Sequence, residues 1–401
     1  MLRMAGVPRD YAWGSTYAIH DVIGSTTDDR PLAELWLGAH RSGPAPLEPG
    51  APAPDLRTLI EADPDATLGR DVHSRFGAQL PFLLKLIAPE RPLSLQVHPN
   101  LERARERFAA ECEAGIPLEA PERNYRDANH KPELVYALTT FRAMCGFRAP
   151  RRAAELLADL DAGLARELHA MLVADPSSTG VCSVFTRLLA AGSRPSAGEV
   201  ADVVRACVAR LADGSPSPRA DDTVRLLAEE YPGDPGVVAS LLLNPVTLRP
   251  GEALFVPAGG VHAYLSGLGV ELMASSDNVL RAGLTAKHVD VAEVLECVDY
   301  VAAPPIRLAP ETFHGATRVF YAPVDDFELS VTTLADGDCA DGPRPLPGRG
   351  PRVLLCLDGT VELSAATGSL TLGRGQSAFV RADDGPLRVA GVGTLFQADV
   401  P

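Results

Sequence analysis

The stretch LSLQVHP at residues 93–99 alternates in polarity: Leu93, Leu95 and Val97 fall on one side of an extended chain, and Ser94, Gln96 and His98 on the other. A half-buried strand ordinarily turns such a polar side to water, and any single alternating run fits that reading. An amide and an imidazole two residues apart would instead converge on a bound ion if that side faced inward. A second histidine, His262, stands in GEALFVPAGGVHAY, where Gly251, Pro257 and Gly259 punctuate the approach to a β-like run. The chain has only three lysines, Lys85, Lys131 and Lys287, among its 37 Lys and Arg residues. A lysine that survives such depletion is a candidate for work a guanidinium cannot do, and all three lie in the segments that carry these motifs. Chance placement on a solvated surface is the bland alternative.

The elements that must position these residues follow from composition and period. At 401 residues the chain exceeds one ordinary core and is expected to divide into two or three units. Apolar residues at 46% and charged residues at 22% suit a chain that folds throughout. A net charge of −15 repels polyanions, which argues against nucleic acid or an anionic membrane as partner. A small anion is admitted only where local basic residues overcome that field. No stretch reaches the ~20 apolar residues of a membrane span and the start has no apolar leader core, so a cytoplasmic protein is expected. The seven cysteines include no CxxC pair and suit reduced packing residues.

Residues 1–98 read as short strands and Pro/Gly turns, among them AELWLGAH and PFLLKLIA. NLERARERFAAECEAG reads as a helix with Asn100 as its N-cap and Gly115 past its end, and PELVYALTTFRAMCGF returns to strand. From Pro150 the period changes: Leu156, Leu157, Leu160, Leu164, Leu168 and Met171 recur at helical spacing, as do Val200, Val204 and Cys207, then Val224, Leu227 and Tyr231. His169, inside that block, is given a structural role. Strands resume near residue 243 and continue to the C-terminus. The expected fold class is mostly β with a helical insertion, built as sandwiches or jelly rolls.

The spacing of Gly251, Pro257, Gly259 and His262 resembles the second signature of the cupin jelly rolls, in which a turn delivers a strand-borne histidine as a metal ligand. It departs at Ser266, where many cupins have Asn. The first cupin signature pairs two histidines one residue apart; here Gln96 and His98 occupy those places, and the carboxylate is sought at Glu133, at the start of a strand in NHKPELVY. Two His, one Glu and one Gln make a mixed N/O set suited to a borderline divalent ion, with zinc favoured over redox metals. His130 is assigned a supporting or structural role.

Taken together, YAWGS, ELWLGAH, PFLLKLIAPERPLSLQVHPN, NHKPE, FVPAGGVHAY and ELMASSDNVLRAGLTAKHVDV resemble the class I mannose-6-phosphate isomerases over nearly the whole chain. The resemblance implies one Zn²⁺ per chain on Gln96, His98, Glu133 and His262, and an aldose–ketose isomerisation of a small phosphorylated sugar through an enediolate. It implies two cupin-type jelly rolls plus an α-helical domain: a catalytic roll from residues 1–150 and 236–320, a helical insertion at 151–235, and a degenerate roll at 321–401. In that last unit GRGQSAFVRADD keeps the Gly375 turn but lacks a following histidine, so no metal is expected there. Lys131 and Glu271 are the candidate bases, left unranked. Arg281 resembles the family's catalytic arginine, screening the enediolate or holding phosphate, and Lys287, Lys85 and Ser94 are further substrate contacts. Tyr264 either lines the sugar site or packs in the wall, and Trp13 is read as core. A monomer without a partner protein is expected. The rival readings are an isomerase of another sugar phosphate, a cupin dioxygenase, and a sugar-binding regulator.

Overall fold

A computed structural model describes residues 1–27 and 29–401. Among the described residues the strands form three sheets of five, seven and nine strands, paired antiparallel. The five-stranded sheet runs Leu280–Gly283, Leu95–Val97, His262–Ser266, Phe141–Phe147, Leu243–Leu248. The seven-stranded sheet runs Ile306–Leu308, Ala253–Val256, Glu133–Ala137, Gly269–Ala274, Phe82–Ile87, Glu34–Gly38, Val7–Arg9.

Alternation along the strands decides how the sheets stack. In Phe82–Ile87, Leu83, Lys85 and Ile87 point one way and Phe82, Leu84 and Leu86 the other. Ile87, Val135 and Leu254 share a buried cluster with Phe141, Ala143 and Val246 of the five-stranded sheet. Phe82, Leu84 and Leu86 pack with Leu329, Val331, Val353 and Phe396 of the nine-stranded sheet. Both faces of the seven-stranded sheet are therefore covered, which is why PFLLKLIA is nearly continuous in apolar residues. The five-stranded sheet turns Leu95, Val97, Ala263 and Leu280 outward against the helices. The nine-stranded sheet folds over an interior of Leu354, Cys356, Leu363 and Leu395.

The helical block begins at Pro150–Ala158, with Pro150 in the first turn, where its missing N–H is no loss. It continues through Gly163–Ala174, Ser178–Leu189, Ala197–Ala212 and Pro218–Glu230. Ser196 and Glu199 cap one helix reciprocally. The periodic positions Leu157, Leu164, Leu168, Val200, Cys207, Val224 and Leu227 are buried, while Met171, Val204 and Tyr231 pack partly exposed at the edge of the same cluster. The Asn100-capped helix spans Leu101–Glu113, and Gly115 follows with a left-handed φ of 72°.

The N-terminal segment differs from expectation. Leu56–Ala62, Pro64–Leu68 and Arg70–Phe76 are helices, not strands and turns. Asp55 accepts the Thr58 N–H at 2.8 Å and Asp63 the Ala66 N–H at 3.1 Å, so side-chain caps define elements too short for a helical period to show. Leu2–Met4 pairs with Ser377–Val380, so the first strand lies in the nine-stranded sheet, away from the roll to which residues 1–150 were assigned.

Candidate metal centre

Register assembles the site. In the five-stranded sheet His262 stands opposite Gln96, and Gln96 opposite Arg281, so a histidine, an amide and a guanidinium form one row on the inner face. His98 follows the strand Leu95–Val97, and its carbonyl accepts the Gly259 N–H at 2.8 Å. Gly259 has φ +78°, so the turn that delivers His262 also ties it to His98. Glu133 enters from the facing sheet as the first residue of Glu133–Ala137.

His98 Nε2 lies 3.1 Å from Glu133 Oε1, His262 Nε2 lies 3.3 Å from Glu133 Oε2, and the Gln96 amide lies 3.3 Å from His262 Nε2. The three ligand atoms of His98, Glu133 and His262 fall within 4.8 Å of one another. Both imidazoles are fixed from behind: His98 Nδ1–H donates to the Asn278 carbonyl at 2.7 Å and His262 Nδ1–H to the Gly260 carbonyl at 2.9 Å. A carbonyl can only accept, so Nδ1 carries the proton in each ring and Nε2 presents its lone pair inward. His98 Nε2 is buried and makes no aligned hydrogen bond. An orphaned His98 Nε2 and an inward His262 Nε2 beside a carboxylate, with backbone carbonyls holding the far nitrogens, are the donor set and the support that a borderline divalent ion takes.

The charges agree. Burial, and then the Lys131 ammonium, lower the His98 pKa to about 4, so the ring is neutral at pH 7. Burial opposes ionisation of Glu133, but its polar neighbours, the Lys131 ammonium among them, outweigh it and hold the carboxyl well below the usual range. Lys131 Nζ is 3.3 Å from Glu133 Oε1. Tyr264 is buried and its hydroxyl donates to Glu133 Oε2 at 3.2 Å.

A second buried charge group flanks the first. Lys85 Nζ lies 2.8 Å from Glu271 Oε2 and 3.7 Å from Glu34 Oε1, with the Trp36 ring centroid 5.5 Å away. Burial disfavours the Lys85 ammonium, but the two carboxylates outweigh it and raise its pKa. Burial raises Glu271 despite that partner.

Beside these groups lies a cavity of about 570 Å³, lined among others by Ser94, Gln96, Lys85, Lys131, Arg281 and Lys287. Trp13, expected as core, stands in its wall with Tyr11 stacked on it at 5.6 Å. Glu271 lies behind Lys85. Arg126 lines the same cavity and was not singled out from the sequence; it sits in an irregular segment where no period marks it. Glu34, Trp36 and Asn278 were missed for a different reason: their roles depend on which strands become neighbours. A larger cavity of about 670 Å³ lies elsewhere, near Arg148 and Asn244. The Arg148 guanidinium there donates to the Leu243 carbonyl, and chemistry, not size, identifies the site.

Two facing antiparallel sheets with histidine, carboxylate and amide converging between them define a cupin-type metal-binding protein. A family model described as phosphomannose isomerase type I, catalytic domain, matches residues 1–150. The mannose-6-phosphate isomerase of Escherichia coli K12 is 39% identical over 398 residues, 98% of each chain. That of Rattus norvegicus is 32% identical over 94% of this chain and 92% of its own. The solved structure of the Salmonella typhimurium mannose 6-phosphate isomerase, bound to its substrate and a zinc atom, is similar with a TM-score of 0.89 and 38% identity over 100% of this chain and 99% of that one. The chain belongs to the type I phosphomannose isomerase family.

Proposed function

We infer that this chain is a zinc-dependent aldose–ketose isomerase that interconverts mannose 6-phosphate and fructose 6-phosphate. The observation that carries the reading is the buried group His98, Glu133 and His262, joined by Gln96, which lines a cavity together with Arg281 and Lys287, two cations without a carboxylate partner among the described residues. Zinc held there supplies Lewis acidity, polarising a sugar carbonyl and easing negative charge onto neighbouring oxygens.

The remaining work falls to this chain's side chains. Isomerisation moves a proton between adjacent carbons, which needs a group that takes and returns it. Lys131, which lines the cavity, is assigned that transfer, for which it must enter the step as the neutral amine, and Glu271 is assigned to positioning Lys85 through their 2.8 Å pair. The Lys85 ammonium then donates to sugar hydroxyls. Arg281, beside Gln96 in the sheet, screens the enediolate charge, and Lys287 and the Ser94 hydroxyl face the phosphoryl end. No helix among the described residues is long and apolar enough to cross a membrane, and the seven cysteines are free, which supports a reducing cytoplasmic setting. Supply of mannose units for activation is the role that this reaction suits.

The test is a coupled assay for conversion of mannose 6-phosphate to fructose 6-phosphate, run with chelator and with zinc added back. Turnover lost to chelator and restored by zinc is expected. A folded, zinc-loaded sample that turned over no mannose 6-phosphate would overturn the reading.

A further inference from the structure

The anion-binding end of the cavity holds one more cation than the isomerase reading uses. Arg281 and Lys287 have their pKa values lowered by burial and then by neighbouring cations, with Arg126 acting on both. Three cations lie within mutual influence in a protein of net charge −15, and an anion that reaches them relieves their repulsion. Among the described residues the one carboxylate paired with Arg126 is Glu119, at 3.3 Å and with its side chain 82% exposed. An exposed pair of that kind is weak and leaves the guanidinium available.

Arg126 is also held at a fixed place relative to the metal ligands. Its backbone N–H donates to Asn278 Oδ1 at 2.7 Å, and Asn278 Nδ2 donates to the Asp127 and Asn129 carbonyls at 2.8 Å each. The Asn278 carbonyl is the acceptor that fixes His98 at 2.7 Å. One fully buried asparagine therefore ties the segment carrying Arg126 to a metal ligand. A guanidinium anchored in this way can grip the far end of a substrate whose near end reaches the metal, with a planar fork suited to a phosphoryl group.

We propose that Arg126 joins Lys287 in the subsite that receives the phosphoryl group of the sugar, as a specificity-determining contact. The inference rests on the isomerase reading above for the identity of the substrate. The measurement is steady-state kinetics of Arg126→Ala and Arg126→Lys with mannose 6-phosphate, together with competitive inhibition by inorganic phosphate. For Arg126→Ala a KM raised roughly ten- to hundredfold is expected, with kcat changed less than about threefold and phosphate inhibition weakened in proportion, as loss of a charge-assisted hydrogen bond implies. Arg126→Lys should regain most of both. Unchanged KM and unchanged phosphate inhibition would overturn the proposal, and so would a fall in kcat with KM unmoved, which would place Arg126 at the reacting carbons. If Arg126→Ala does not fold, Arg126→Gln takes its place. An inactive parent would sink the isomerase reading alone, because calorimetric titration of parent and variant with inorganic phosphate still decides whether Arg126 binds the anion.

Discussion

His262 and His130 show how one residue type acquires opposite jobs from its neighbours. His262 donates its Nδ1–H to the Gly260 carbonyl and turns Nε2 toward Glu133 and Gln96. His130 spends its Nε2 on both oxygens of Asp326, at 3.1 and 3.0 Å, and is not among the residues that converge with Glu133. His262→Ala should therefore lose bound zinc, measured by elemental analysis, and lose activity by more than roughly 100-fold, since even supporting contacts to ligands are worth 10- to 100-fold. His130→Ala should keep its zinc. A His262→Ala protein with full zinc content would mean that the ligand assignment is wrong. At this scale the sequence was informative wherever local spacing carries the geometry: the two-residue step from Gln96 to His98 puts both on one face without knowledge of any other strand. It was silent on Glu34 and Asn278, whose roles depend on Lys85 and His98 reaching them across elements far apart in the chain.

Among the elements, the strand pair Glu328–Leu334 and Arg388–Asp399 carries a charge problem of its own. Glu328 and Asp399 are direct cross-strand partners, and both are buried. Burial, then the charge of Glu328, raises Asp399 well above its ordinary value, and burial raises Glu328 while a hydrogen bond from Asp399 partly offsets the rise. The adjacent Arg352 is itself destabilised by burial and offsets little. The folded chain therefore keeps a proton that the unfolded chain gives up above its ordinary pKa of 3.8. Stability contributed by that proton is full below this value and is lost as pH rises toward the folded pKa, with a slope approaching about 1.4 kcal/mol per pH unit. Asp399→Asn, which keeps a donor for Glu328, should flatten that decline in urea unfolding between about pH 5 and pH 8. An unaltered slope would mean that the pair is ionised, or that other groups set the dependence. Neither carboxyl stands out in the sequence, because nothing local to residue 328 reports that residue 399 lies opposite. The three short helices between residues 56 and 76 escaped notice for the reverse reason: their signal is purely local, two aspartate caps and a proline, and it is outweighed by the surrounding turn-like composition.

For the molecule as a whole, the order of layers explains why a catalytic sheet pair is fused to a second β unit. The seven-stranded sheet supplies Glu133, Lys85 and Glu271 from one face, and that face cannot carry buried charge unless the strands are held rigidly from behind. Behind it, Phe82, Leu84, Leu86, Leu134 and Leu272 are almost completely buried against Leu329, Val331, Val353 and Phe396 of the nine-stranded sheet. A chain ending at residue 310 would keep every proposed metal ligand and cavity residue. It would also expose that entire apolar face, strand Leu2–Met4 would lose its partner, and His130 would lose Asp326. Such a chain should be insoluble, or should bind a hydrophobic dye and melt without a cooperative transition, although no group in contact with substrate has been removed. If it were instead soluble, cooperative in melting and active, the nine-stranded sheet would be dispensable to the site, and its role would have to be sought on its own surface. The expected loss follows from alternation in one short run: FLLKLI places Lys85 toward chemistry and its two neighbours Leu84 and Leu86 toward the second sheet, so the site and its backing are built from the same six residues.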